Sequence, residues 1–333
     1  MAFFVPHLGC PHRCSFCDQK SISGSLCPPS PAEVARTCEA AAQRLKNRAF
    51  PAEIAFFGGS FTAVDPALMQ SLLQAAFPFV TSGDFDGIRI STRPDAIDPP
   101  VLSLLKKYGV TVIELGAQSM DNGVLEKNGR GHTAQDVKQA ARLIRQAGFQ
   151  LGLQMMIGLP GDSEGRCRDT ARQIAALEPD CVRLYPTLVV ENTELARWYR
   201  QGTYLPLTVE QAVEQTAWLL RFFEEKKIPV IRIGLHAETS LQQSCLAGPF
   251  HPAFGELCYS RAWLDRLLEQ LAQSEAKGLL QIFVRPENHS KAVGQKRENI
   301  RRLAALGYQV KILPNPSLPA EIPFLIKEVK DCI

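Results

Sequence analysis

Three cysteines within eight residues carry the most specific chemical signal in this chain. Cys10, Cys14 and Cys17 follow the spacing Cys-x3-Cys-x2-Cys. Soft thiolates suit an iron–sulfur cluster because sulfur ligands stabilise iron and delocalise its charge. Three of them leave one iron of a 4Fe–4S cluster without a protein ligand. That open iron can chelate the amino and carboxylate groups of S-adenosylmethionine (SAM), and one electron then cleaves the sulfonium bond to yield a 5′-deoxyadenosyl radical. Phe16, just before the last cysteine, would shield such a centre from solvent. Zinc and chance are the competing readings. Structural zinc takes four ligands, often as two Cys-x2-Cys pairs. His7 or His12 could add a fourth here, but no second pair lies nearby.

The elements that must position these cysteines alternate along the chain. Short apolar runs at 3–6, 54–57, 88–91, 112–115, 151–157 and 182–185 are rich in β-branched or aromatic residues. Amphipathic segments near 31–47, 66–76, 100–108, 134–147 and 165–176 lie between them. That alternation predicts a parallel sheet with helical crossovers. Six such units make a partial (β/α)6 barrel, and periodicity alone leaves a doubly wound sheet as the alternative. Ser30-Pro31 is a helix start and Gly148 a helix stop. The cysteines follow the first strand-like run, where barrel loops build active sites. After about residue 205 a long amphipathic helix is expected at 209–226, a strand at 230–235 and an ordered Gly/Pro/aromatic loop at 244–259. A second α/β domain follows, with elements at 260–275, 279–284, 290–306 and 308–313. The domain reading is therefore 1–205, a connecting region 206–259, and 260–333.

The chain has 333 residues, 45% hydrophobic and 21% charged, an ordinary balance for a packed core. No apolar run is long enough for a membrane span, and the first residues lack a signal-peptide layout. A cytoplasmic protein with no membrane partner is expected, its ten cysteines kept reduced. A net charge of +3 neither demands nor excludes nucleic acid. The stretch 291–302 is locally basic, with Lys291, Lys296, Arg297, Arg301 and Arg302.

Several further segments carry a likeness: GGSFTA at 58–63, STRPDAI at 91–97, ELGAQS at 114–119, NGRGHT at 128–133, MMIGLPGD at 155–162 and RLYPTLVVENTEL at 183–195. In this order, with the cysteine motif, they resemble the radical SAM superfamily. More narrowly they resemble the radical-SAM half of the Elongator catalytic subunit, a family modifying the wobble uridine of tRNA. The resemblance covers roughly residues 1–215. It implies a partial (β/α)6 barrel of radical SAM type, a 4Fe–4S cluster and SAM across the strand ends. It also implies that Gly58, Gly59 and Ser60 hold the SAM amino group through backbone atoms. Ser91 and Arg93 would sit at the third strand's end, with Arg93 on the SAM carboxylate. Gln118 and Arg130 would contact SAM or substrate, and Leu184 and Tyr185 would border the adenine. Ser60 replaces an acidic residue common in the family. The Elongator subunit also has a basic segment before its cluster, a wider cysteine spacing and an acetyltransferase domain after the barrel. None is seen here, so acetyl-CoA use and carboxymethyl addition are not carried over.

In the second domain, residues 293–300 resemble the helix–loop core of a K-homology RNA-binding module, with Gly294, Lys296 and Arg297 as RNA contacts. Arg297 replaces the second glycine of that pattern. A solvated basic helix face is the other account of these charges. Cys245 and Cys258, near His251 and Glu256, are either small buried residues or an extra functional pair. Arg232 within the 230–235 run and His236 just after it either face the barrel mouth or belong to a strand closing it.

The expected protein is a radical SAM enzyme modifying a base in tRNA or rRNA, served by an electron donor such as flavodoxin or ferredoxin. A radical SAM enzyme of a small metabolite or tetrapyrrole, and an RNA-binding protein with a structural or sensing cluster, are the alternatives.

Overall fold

The computed structural model describes residues 1–5, 10, 14–18, 27–46, 48–235, 239–273, 279–319 and 321–328. His7, His12 and His236, weighed above, lie outside these residues. Two compact units emerge: residues 1–209 with 223–250, and residues 210–222 with 251–333.

The first unit is built on seven parallel strands: β1 (Ala2–Val5), β2 (Glu53–Gly58), β3 (Gly87–Thr92), β4 (Val110–Gln118), β5 (Gln150–Ile157), β6 (Cys181–Pro186) and, after a two-residue strand β7 (Val189–Val190), β8 (Val230–Ile233). Their order is β1-β2-β3-β4-β5-β6-β8. Each strand lies beside its predecessor, so the sheet never reverses direction as a doubly wound sheet does. This is the partial-barrel alternative. The 230–235 run is the seventh strand of this sheet rather than part of a separate connection.

Helices α1 (Pro31–Leu45), α2 (Pro66–Thr81), α3 (Pro99–Lys107), α4 (Asn122–Lys127), α5 (Ala134–Gln146) and α6 (Glu164–Ala175) form most of the crossovers. Their starts share a device. Ser30, Asp65, Asp98, Asp121, Thr133 and Ser163 each accept a backbone N–H of the first turn, and the first three are followed by proline. Thr133 and Asp136 form a reciprocal capping box. α2 outlasts its expected end at 76 and runs on to Thr81 with Pro78 inside it, at the loss of one i→i−4 hydrogen bond. Ile54, Phe56, Ile88, Ile90, Leu151, Leu153, Val182 and Leu184 are fully buried, alternating along their strands.

The chain continues through α7 (Glu194–Arg200), α8 (Val209–Glu225), α9 (Thr239–Ser244) and β9 (Cys245–Ala247), which pairs antiparallel with β7. The 244–259 segment is thus a short strand followed by the start of α10 (Phe254–Ala272), not one loop. His251 Nδ1 accepts the Ala253 N–H just before that helix.

In the second unit, α10 precedes β10 (Leu279–Val284), α11 (His289–Val293), α12 (Glu298–Ala305), β11 (Gln309–Pro314) and β12 (Phe324–Glu328). β10 is central, parallel to β11 and antiparallel to β12. Trp263, Leu267, Leu280, Ile282, Leu303 and Phe324 form its core. The single helix expected at 290–306 is two helices. Gly294 at φ +80° breaks it, and Lys296 and Arg297 follow in left-handed backbone at φ +48° and +62°.

Candidate active site

The carboxyl ends of the parallel strands surround a cavity of about 680 Å³ within the first unit. Cys10, Cys14 and Cys17 line it together with Phe16, Gly58, Gly59, Ser60, Ser91, Arg93, Gln118 and Arg130.

The cysteine segment is held by residues far along the chain. Cys17 N–H donates to Cys14 O at 3.1 Å, closing a turn. Inside that turn, Ser15 N–H donates to Asn128 O, Ser15 Oγ donates to Asn128 Oδ1, and Ser15 O accepts from Leu195 N–H. Asn128 is anchored by its own Nδ2 donating to Val124 O and Pro160 O. Phe16 packs against a cluster that includes Val189, Leu195 and Trp198. Burial pushes the Cys17 thiol up to about 12, with the neighbouring cysteines adding to the shift. Burial also raises Cys10, opposed by a hydrogen bond from the Ser60 backbone. Metal binding at such thiols releases their protons.

Gly58 ends β2 at φ +113°, and a Cβ there would stand 2.9 Å from Val5 O. Only glycine lets β2 turn this closely against β1. Gly59 N–H then donates to Val5 O at 2.8 Å. Ser60 is buried, its Oγ bonded to Thr92 Oγ1 and accepting from Arg93 N–H. Its side chain braces the β3 end, which leaves only its backbone for a ligand.

The arginines divide their work differently from the sequence expectation. Arg93 uses Nε and Nη2 on Asp95, and Nη2 also donates to Arg130 O at 2.6 Å. The fork expected on a ligand carboxylate is therefore engaged within the chain. Arg130 reaches the cysteines: Nη1 donates to Cys14 Sγ at 3.2 Å and Nη2 to Gly116 O at 2.6 Å. Burial holds His132 neutral, lowering it to about 4, with the Arg130 charge adding to the effect.

Gln118 sits at a register shift between β4 and β5, at φ +64°. The irregularity turns its side chain to the cavity, where its buried Oε1 has no hydrogen-bond partner among the described residues. Leu184 and Tyr185 do not line the cavity. Leu184 points with Val182 into the apolar core, because side chains alternate along β6. Tyr185 shares its face with Arg183, whose positive charge lies beside it.

The inner face carries a charge network that motif reading missed. Glu114, wholly buried, accepts from Arg89 Nη1 at 3.0 Å, Arg183 Nη2 at 2.8 Å and Gln154 Nε2 at 2.8 Å. Arg183 Nε also lies 2.6 Å from Glu114 Oε2, but out of line for a hydrogen bond. Gln154, itself at the cavity, donates to Ser91 Oγ as well. A charged or amide residue inside each of these strands was the available signal. Asp18, Thr92, Gly116 and Asn192 also line the cavity without having been singled out.

Gly294, Lys296 and Arg297 lie in the second unit, on a cleft of about 430 Å³ shared with Tyr259, His289 and Lys291. Cys245 is half-buried among Leu188, Val190 and Leu241, and Cys258 is buried on α10 with its thiol raised by burial. Arg232 spends its Nε on Gly234 O.

Family comparison agrees with this architecture. The model of the radical SAM superfamily matches residues 4–174, and that of the radical SAM C-terminal domain matches residues 179–264. The chain belongs to the radical SAM superfamily. Its cofactors are accordingly a 4Fe–4S cluster and SAM. A tRNA uridine(34) acetyltransferase of Dehalococcoides mccartyi is 28% identical over 62% of this chain and 52% of that protein. Human Elongator complex protein 3 is 35% identical over 40% of this chain and 25% of that protein. This radical SAM chain thus spans about half or less of those relatives' lengths. An archaeal Elp3 structure from Methanocaldococcus infernus superposes with a TM-score of 0.59 at 23% identity, covering 74% of this chain and 60% of that one. That likeness speaks to fold alone.

The residues present fit both radical SAM cofactors. Among the described residues no three His, Cys, Asp or Glu side chains converge on one ion. A 4Fe–4S cluster asks for something else, since each thiolate takes its own iron. The cavity adds a buried guanidinium, exposed glycine backbone and the orphaned Gln118 acceptor, the set that a zwitterionic nucleoside ligand needs.

Proposed function

We propose that this chain is a radical SAM enzyme that modifies a base in tRNA, with its cluster on Cys10, Cys14 and Cys17. The observation that carries this is the convergence of the three cysteines, the Gly58-Gly59-Ser60 turn, Gln118 and Arg130 on one cavity at the strand ends. When both cofactors are bound, the chemistry supplied is one-electron reductive cleavage of SAM to methionine and a 5′-deoxyadenosyl radical. The chain's own contribution is placement. The Ser15–Asn128–Leu195 ties fix the cysteine turn, the glycine backbone receives the amino group, and Phe16 and the strand walls exclude water. A low-potential electron donor of the flavodoxin or ferredoxin kind supplies the electron.

The tRNA part rests on the names of the relatives and on the second unit's loop. Lys296 and Arg297 are brought to a cleft beside Gly294, with no acidic partner for either cation among the described residues, in an arrangement that suits a sugar–phosphate backbone. Domain roles follow: the first unit performs the radical chemistry and the second grips RNA.

The test is anaerobic reconstitution with iron and sulfide, reduction with dithionite, and assay of 5′-deoxyadenosine from SAM. The wild type is expected to form it and the Cys14→Ala/Cys17→Ala double variant to form none. Adding tRNA should raise turnover or leave a modified base. Lys296→Ala/Arg297→Ala should weaken tRNA binding and flatten its salt dependence by about two charges. A reconstituted wild type that never cleaves SAM, with or without tRNA, overturns the reading.

A further inference from the structure

We propose that Arg130 sets the reduction potential of the cluster through its hydrogen bond to Cys14. This rests on the assignment of Cys14 as a cluster ligand and concerns a role that neither the family comparison nor the motif reading assigns.

The geometry is that of a charge fixed in advance. Arg130 is 7% exposed, and its Nη1 meets Cys14 Sγ at 3.2 Å. Its Nη2 is committed to Gly116 O at 2.6 Å, so the guanidinium plane is held at both ends. The backbone is held too. Arg130 N–H donates to Leu125 O, and Arg130 O accepts from Arg93 Nη2. Arg93 is in turn gripped by Asp95. Thus buried Arg93, held by Asp95, serves as a strut for Arg130.

Reduction adds one electron to the cluster and therefore one negative charge. A guanidinium stays protonated across the working pH range and does not relax away when held on both sides. Hydrogen bonds to cluster sulfurs and local charge are among the terms that set these potentials. A fixed cation on one ligand stabilises the reduced form more than the oxidised form and raises the potential. The electron comes from a one-electron low-potential reductant, dithionite in the assay, and no bond to Arg130 forms or breaks.

The test is an EPR-monitored redox titration of the reconstituted full chain without SAM. At a fixed poise, Arg130→Gln should lower the ratio of reduced to oxidised cluster about tenfold, equivalent to about 59 mV for a one-electron couple. Arg130→Lys, which keeps the charge but not the fork, should lower it less. An unchanged or higher ratio in Arg130→Gln overturns the proposal. A second readout needs no variant. Wild-type protein carrying 15N in its arginine guanidinium groups should show a nitrogen coupling in the pulsed EPR spectrum of the reduced cluster. Absence of that coupling overturns the proposal even where Arg130→Gln assembles no cluster. Failure of the cysteine assignment looks different: the cluster would then persist in the Cys14→Ala/Cys17→Ala variant.

Discussion

Replacing Glu114 by glutamine should destabilise the first unit by about 3 kcal/mol, because it strips the counter-charge from two guanidiniums in one step. Glu114 is wholly buried and bonded to Arg89, Arg183 and Gln154. Removing one partner of a buried ion pair costs about 3–5 kcal/mol, since the other charge stays in a poorly solvated place. The low end applies for two reasons. Arg89 keeps Glu53 at 2.8 Å, and the glutamine carbonyl still accepts one hydrogen bond. Arg183 keeps its position over the Phe57 ring. For a unit of this size each kcal/mol moves the thermal midpoint by about 2–4 °C, so a fall of about 6–12 °C is expected. The assay is a far-UV circular dichroism melt of the chain without cofactor, for Glu114→Gln, Arg183→Met and the double variant. The double variant should cost clearly less than the two single costs added, since each removes a charge the other leaves stranded. A fall of under about 3 °C for Glu114→Gln, or strict additivity, would refute the reasoning and show that the guanidiniums find other partners.

Gly58→Ala places a Cβ 2.9 Å from Val5 O on a φ of +113°. It should cost about 1–3 kcal/mol in backbone strain alone and lower the iron bound per chain after reconstitution, because β1 leads into the cysteine segment. Asp162→Asn should stabilise the chain at pH 7. Burial raises Asp162 from 3.8 to about 6, so the folded chain holds that proton more tightly than the unfolded one. Its favourable contribution is present below pH 4 and lost as pH rises through 6. At 1.36 kcal/mol per pH unit the ceiling is about 3 kcal/mol. Partial exposure and the retained acceptor for Ser163 N–H reduce the expected gain to about 1 kcal/mol, seen in melts at pH 7 and absent at pH 4. In the second unit, Asn299→Ala removes an Nδ2 that donates to Ser260 O, Ser260 Oγ, Lys291 O and Ala292 O. It should cost about 1–3 kcal/mol and weaken the tRNA binding proposed for the Gly294 loop by freeing that loop.

The parallel strands β1 to β6 were legible because one face of each is buried, and Ile, Leu, Val and Phe recurring at alternate positions mark that face in the sequence. The network on Glu114 escaped for the complementary reason. Its members are polar residues set between the apolar ones of those strands, and their meaning depends on which strands become neighbours. The cysteines were legible from spacing alone, whereas the partner of Arg93 was not: Asp95 lies two residues away, and only the 3-10 turn after β3 brings it round to the guanidinium. Leu184 was misplaced because an ordered motif says nothing about alternation, and one residue's shift exchanges the faces of a strand. Residues 254–259 were read as loop from their glycine, proline and aromatic content. In fact Pro252 and a His251 ring nitrogen that accepts the Ala253 N–H precede a helix that begins at Phe254. β12 went unnoticed because a short strand after a proline-rich stretch has no pattern until β10 is there to pair with it.

The pairing of β1 with β2 has a consequence for how the protein is made. Residues 2–5 take their hydrogen bonds from residues 53–58, and the three cysteines lie between those two segments. At ribosomal speeds of about 5–20 residues per second, β2 is synthesised about 3–10 s after β1. The contacts on Ser15 wait longer still, for Asn128 and Leu195. During that interval the thiols exist without the framework that sets their spacing. Iron delivered then meets a flexible chelator instead of a defined site. Productive loading therefore belongs after synthesis has passed Leu195, and slowing translation between Cys17 and Leu195 lengthens the period in which these thiols are open to oxidation.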